Sequence, residues 1–167
     1  MIRLALALAL GVLLAPAALA GGSKPPPMQV TFHLEGSQQE GPKFVFAQST
    51  AGKTVYYRKS AELTIKDVVA FRSFPAENDA GYGVVLELNK QAANRLRSVC
   101  AANQGKYLLA VVNGQVRDAV MIDKPAQDPY IVIWQRITSE EIHVADMVMP
   151  RIGEDPDVWK ERQKEKQ

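Results

Sequence analysis

The chain has 167 residues, 20 Lys+Arg against 18 Asp+Glu, a formal net charge of +2 and a single cysteine. So near-neutral a balance gives no electrostatic reason to expect nucleic acid or an anionic membrane as partner. One cysteine excludes a scaffold held by intrachain disulfides, and the length suits one domain with its own core rather than two.

The first twenty residues, MIRLALALALGVLLAPAALA, join one positive charge at Arg3 to an apolar run from Leu4 to Leu14 and a small-residue site at Ala18-Leu19-Ala20. This is the pattern of a secretory signal peptide, predicted to be cut between Ala20 and Gly21. No cysteine stands at the junction to take a lipid, and no second apolar run is long enough to span a bilayer. The mature chain is therefore expected to be periplasmic or secreted, without a stable membrane span. Residues 21–27, GGSKPPP, form a Pro-rich extended leader. A single domain is expected over 28–153 and a polar tail over 154–167.

Gln29 to Leu34 alternates Val30, Phe32 and Leu34 with polar residues, a half-buried strand with His33 on its polar side. A polar loop follows, and then Phe44 to Ala47 and Thr54 to Arg58 flank the turn-rich STAGK as a second hairpin. Thr64-Ile65-Lys66-Asp67 has the Thr-x-x-acid pattern of a helix start, so a short helix is predicted with Ile65, Val68 and Val69 inward, ending by Pro75. Val84 to Leu88 is a strand. Asn89 caps a helix over Lys90 to Ala102, with Ala93, Leu96, Val99 and Cys100 on its inner stripe and Gly105 supplying the left-handed residue that stops it.

Tyr107 to Val112 is apolar enough to be buried on both faces, and Asn113-Gly114 suits a two-residue turn that returns Val116 to Ile122 alongside it. Tyr130 to Trp134 is a further strand. Thr138 and Glu141 form a capping box that opens a helix with Ile142, Ala145, Val148 and Met149 inward until Pro150. The tail DVWKERQKEKQ is polar, with Trp159 as its one anchor. The element order predicts an α+β fold: a mixed, mostly antiparallel sheet with two main helices on one face.

Little in the sequence carries chemistry. STAGK lacks the first glycine of a phosphate loop and is followed by a strand, so it is a turn. His143 lies near Glu140, Glu141 and Asp146, but HVAD offers only two ligands, and His33 is distant in sequence. No serine sits in a nucleophile elbow, and Cys100 falls on the core stripe. No catalytic residue, cofactor or metal site is predicted, and the chain is not expected to be an enzyme. Tyr130, Val132 and Trp134 share one strand face, which is either core or, if uncovered, an apolar platform for an extended peptide.

Residues 55–153 resemble the periplasmic P1 head region of SecD, the export accessory subunit of the bacterial Sec translocon. The resemblance is carried by the Leu-Thr-x-x-Asp-Val run at 63–68, GVVLELNKQAANRL at 83–96, GKYLLAVVNGQV at 105–116 and ITSEEIHVAD at 137–146. It covers the head and not the family's membrane part, on which proton-driven export depends, and Val120 stands where the family commonly has proline. The resemblance implies a SecD-head-like fold and, by analogy, contact with polypeptide or another envelope protein. The expected function is a non-catalytic binding module; the alternatives are a structural component of an envelope assembly, or a periplasmic enzyme or metal-binding protein using His143.

Overall fold

The computed structural model describes residues 28–77 and 80–165, so the signal-peptide and Pro-rich leader assignments, with the Ala20/Gly21 junction, lie outside the described residues. Strand β1 (Val30–Leu34) buries Val30, Phe32 and Leu34, as its alternation requires. Strands β2 (Val45–Thr50) and β3 (Lys53–Arg58) close a hairpin around Ala51-Gly52 in STAGK. Tyr57 on β3 is fully buried and its hydroxyl lies 2.8 Å from Thr50 Oγ1; burial raises the phenol's pKa despite that bond. Phe44, assigned to the strand from its pattern, stands just outside β2 with 58% of its surface exposed.

The largest departure from expectation follows β4 (Leu63–Thr64). The Thr64/Asp67 capping box forms, with Thr64 N–H donating to Asp67 Oδ2 at 2.8 Å, but it opens a single 3-10 turn over Ile65–Asp67. The chain then runs extended as β5 (Val68–Pro75). Val68-Val69-Ala70-Phe71 is rich in β-branched and aromatic residues, and pairing with β6 (Tyr82–Leu88) outweighs the local helix signal. Val69 is consequently exposed rather than inward.

Helix α1 (Lys90–Ala102) is capped by Asn89, whose Oδ1 accepts from Ala92 N–H at 2.9 Å, and buries Ala93, Leu96 and Cys100. It stops at Asn103, whose N–H returns to Cys100 O; Gly105, at φ +82°, sits two residues further on, in the turn that enters the next strand. Strand β7 (Tyr107–Val112) turns through Asn113 and Gly114, both at positive φ, into β8 (Gln115–Met121). Strand β9 (Tyr130–Ile137) leads to α2 (Ser139–Val148), opened by the Thr138/Glu141 capping box. Ala145 and Met149 are buried and Ile142 half-buried, but Val148 is exposed, at the edge of the stripe those three share. The tail contains a third helix, α3 (Pro156–Glu165), tied to α2 where Trp159 Nε1–H donates to Asp146 O at 3.1 Å.

The fold is α+β with mostly antiparallel pairing. The strands of the described residues divide into three ladders: β4-β1-β7-β8, β2-β3 and β5-β6-β9. Phe32, Leu34, Leu86, Leu96, Cys100, Leu108, Ile133 and Ile137 belong to one apolar cluster, so the two larger ladders and α1 share a single core. Among the described residues no helix is long and apolar enough to cross a membrane.

Candidate binding cleft between β8 and β9

β8 and β9 are each the last strand of their ladder, and no ladder joins them. Antiparallel pairing alternates residues whose backbone groups point to the partner with residues whose groups point away. Leu88 N–H bonds Pro129 O at 2.8 Å, and Leu86 and Val84 stand opposite Ile131 and Ile133. The alternation therefore turns the N–H groups of Tyr130, Val132 and Trp134 away from β6, toward β8. On β8, Ile122 N–H bonds Lys106 O at 2.8 Å, which by the same rule turns Ala119 and Met121 away from β7, toward β9.

Asp118 occupies this seam. Its Oδ1 accepts from Ala119 N–H at 2.9 Å and its Oδ2 from Trp134 N–H at 2.8 Å. One carboxylate thus takes an outward N–H from each edge strand, satisfying groups that would otherwise need water or another strand. Beside it, a register shift opposite Ala110/Val111 leaves Arg117 as the extra residue of a β-bulge. Arg117 Nη2 reaches Glu141 Oε1 at 2.6 Å, with both side chains largely buried. Glu141 also accepts from Asn113 Nδ2 and from Thr138 N–H, so one carboxylate ties the hairpin tip to the start of α2. Arg117 Nε is buried without a hydrogen-bond partner, a cost of this fastening.

Past Asp118 the seam opens into an apolar cleft of about 350 Å³. Its floor is core: Phe32, Leu96, Cys100, Leu108 and Ala110. Its rim carries large exposed side chains, Trp134 (56%), Met121 (53%), Tyr130 (42%) and Val120 (38%). Of the Tyr130, Val132 and Trp134 face, the two rings are uncovered and Val132 between them is half-buried. Trp134 is held by an edge-on contact with Phe74, centroids 6.0 Å apart, and Phe74 lies over Gly83. A Cβ at Gly83 would come within 2.2 Å of the Phe74 ring and 2.8 Å of Trp134 O, so glycine is required there. Asp123, Lys124 and Asp128 also line the cleft, and neither aspartate is ion-paired among the described residues.

The other candidate groups lie elsewhere. His143 is exposed on α2; of the carboxylates near it in sequence, Glu141 holds Arg117, and Asp146 accepts from Nε and Nη2 of Arg151, each at 2.8 Å. Asp146 raises the pKa of Arg151 through those bonds. His33 is half-buried between Arg58 O at 2.8 Å and Thr31 Oγ1 at 2.9 Å. Cys100 lines the cleft floor, and burial pushes its thiol pKa up, away from the reactive thiolate. Among the described residues no group of three or more His, Cys, Asp or Glu is placed to hold a metal.

Sequence reading missed Asp118, Arg117 and Gly83. The signal for the first two was available: adjacent opposite charges within an otherwise apolar strand mark an edge.

No family model and no curated protein matches the sequence. Solved structures that resemble the fold include two of SecDF. One, described as a membrane component SecDF that enhances protein export, is 17% identical over 71% of this chain and 60% of its own, with a TM-score of 0.50. The other, SecDF in a super-membrane-facing form, is 18% identical over 71% of this chain and 18% of its own, with a TM-score of 0.49. The chain thus spans about 60% of the first structure's length, and at this identity the likeness is one of fold: the α+β arrangement is SecD-like.

Proposed function

We propose that this chain is a non-catalytic binding module of the cell envelope whose occupant is an extended segment of polypeptide, seated in the cleft between β8 and β9. The observation that carries the reading is the pair of exposed rings, Tyr130 and Trp134, flanking half-buried Val132 on one strand face beside a cleft floored by core residues. Water-exposed aromatic and aliphatic surface of this kind, rimmed by a few charges, marks interaction sites more often than it survives idly on a monomer. The Arg3-to-Ala20 leader pattern supports an envelope location. The SecD-like fold supports polypeptide as the partner class, since the similar SecDF is described as enhancing protein export.

The test is anisotropy titration of the purified protein against a fluorescent twelve-residue peptide of alternating Leu and Ser. Micromolar binding that falls about tenfold or more in Trp134→Ser supports the reading. Binding that is absent, or indifferent to Trp134→Ser and Tyr130→Ser together, overturns it. A photocrosslinker at position 130 in the native envelope separates partner types: many secretory chains support an unfolded polypeptide, and one folded protein favours an assembly component.

A further inference from the structure

We infer that the occupant adds to the free edge of β9 as a further β-strand, pairing its backbone with Tyr130 and Val132, and that it carries a Lys or Arg toward Asp123 and Asp128. The inference rests on the cleft being a polypeptide site and specifies how that site reads its partner. Three observations converge on it. The ladder alternation presents the outward backbone groups of Tyr130 and Val132 along the same stretch as the exposed side chains of the platform. Backbone groups on an open edge and side-chain pockets at every second residue are the two elements of strand addition.

The second observation is Asp118. Its carboxylate already accepts the next outward N–H of β9, that of Trp134, as an entering strand's carbonyl would. The edge is thus closed by a side chain at Trp134 and left open at Val132 and Tyr130, which fixes where an added strand begins. The third is charge. Asp123 and Asp128 face the cleft against the single ammonium of Lys124, while Arg97 is turned to Gln127 O at 3.4 Å and to Asn94 Oδ1 at 3.0 Å. The mouth is net acidic, so a basic residue beside the apolar ones complements it and an acidic one is repelled.

Backbone methylation separates strand addition from simple apolar docking, because it removes N–H donors and leaves the side chains unchanged. The probe is the alternating Leu/Ser peptide with one central Lys, compared with two isomers N-methylated on the odd or the even residues. Strand addition predicts that at least one isomer loses about tenfold or more in affinity. Replacing the peptide Lys by Glu is expected to weaken binding about threefold or more at low salt, an effect that Asp123→Asn with Asp128→Asn abolishes. Trp134-dependent binding that both methylated isomers retain overturns strand addition while leaving the polypeptide site standing. Failure of the unmethylated peptide to bind at all removes the site itself, and indifference to the Lys→Glu exchange overturns the basic partner.

Discussion

The seam between β8 and β9 is finished differently at its two ends. At the hairpin end, Arg117, Asn113 and Thr138 converge on Glu141 and fasten the hairpin to α2, while Asp118 separately takes an N–H from each edge strand and fastens one ladder to the other. At the other end the same two strands part around an apolar cleft, and Tyr130, Trp134, Val120 and Met121 are left in water. The fold therefore places its strongest specific fastening next to its least covered apolar surface. The fastened end is expected to hold the geometry of the open end, and the exposed rim of the open end to contribute little to stability.

Breaking the fastened end has the largest expected effect. Glu141→Ala removes the acceptor of Arg117, leaves that cation in a site where its side chain is 13% exposed, and deletes half of the α2 capping box. The expected loss is about 3–5 kcal/mol, the cost of an uncompensated buried charge, read by urea unfolding. Glu141→Gln keeps an acceptor for Thr138 N–H and is expected to lose less. Pairing Arg117→Met with Glu141→Leu should restore most of the stability, since the isolated charge rather than the lost attraction is the cost. A loss below about 1 kcal/mol for Glu141→Ala would show that the hairpin tip and α2 are held together by the core alone.

Gly83→Ala tests the link between the ends. The new Cβ meets the Phe74 ring and Trp134 O, so the ring must leave its place over β6 and the edge-on support of Trp134 goes with it. A cost of about 1–3 kcal/mol is expected, together with a change in tryptophan emission. In a Trp159→Phe background, where Trp134 is the one tryptophan left, an unshifted emission would mean that Trp134 keeps its place without Phe74.

These contrasts show which parts of the molecule were legible in its sequence. Local signals were read correctly where the structure is local: Asn89 caps α1, Asn113-Gly114 makes the hairpin, and Thr138/Glu141 opens α2. At β5 a real capping box formed and still yielded only one turn, because pairing with β6 outweighed it. The site was legible in part, since Tyr130, Val132 and Trp134 stand out by alternation, yet their exposure depends on where α1 and β8 lie. The second role of Glu141 was hidden altogether, because its partner Arg117 is 24 residues away and is turned toward it by a bulge.

Asp67 offers a control remote from the seam. Burial works against its charge, but hydrogen bonds from Thr64 and the 2.7 Å pair with Arg95 outweigh it and lower its pKa from the ordinary 3.8. A carboxylate with a lowered folded-state pKa contributes stability that is present above its ordinary value and is lost as pH falls through the folded one. Asp67→Asn should cost about 1 kcal/mol at pH 7, and the difference from the parent should shrink steadily below about pH 4. It should leave Trp134 emission unchanged.

Stripping the open end should barely be felt by the fold. Met121 and Tyr130 are 53% and 42% exposed, so truncating either returns little apolar area to water and opens no buried cavity. Met121→Ser and Tyr130→Ser are each expected to shift stability by no more than about 0.5 kcal/mol in urea unfolding, while peptide affinity falls. If instead either substitution cost as much as Gly83→Ala, the rim would be part of the core's support, and the contrast between a fastened end and a free end would fail. The two measurements have to be made on the same variants, because a surface kept for binding and a surface kept for folding differ only in which of them responds.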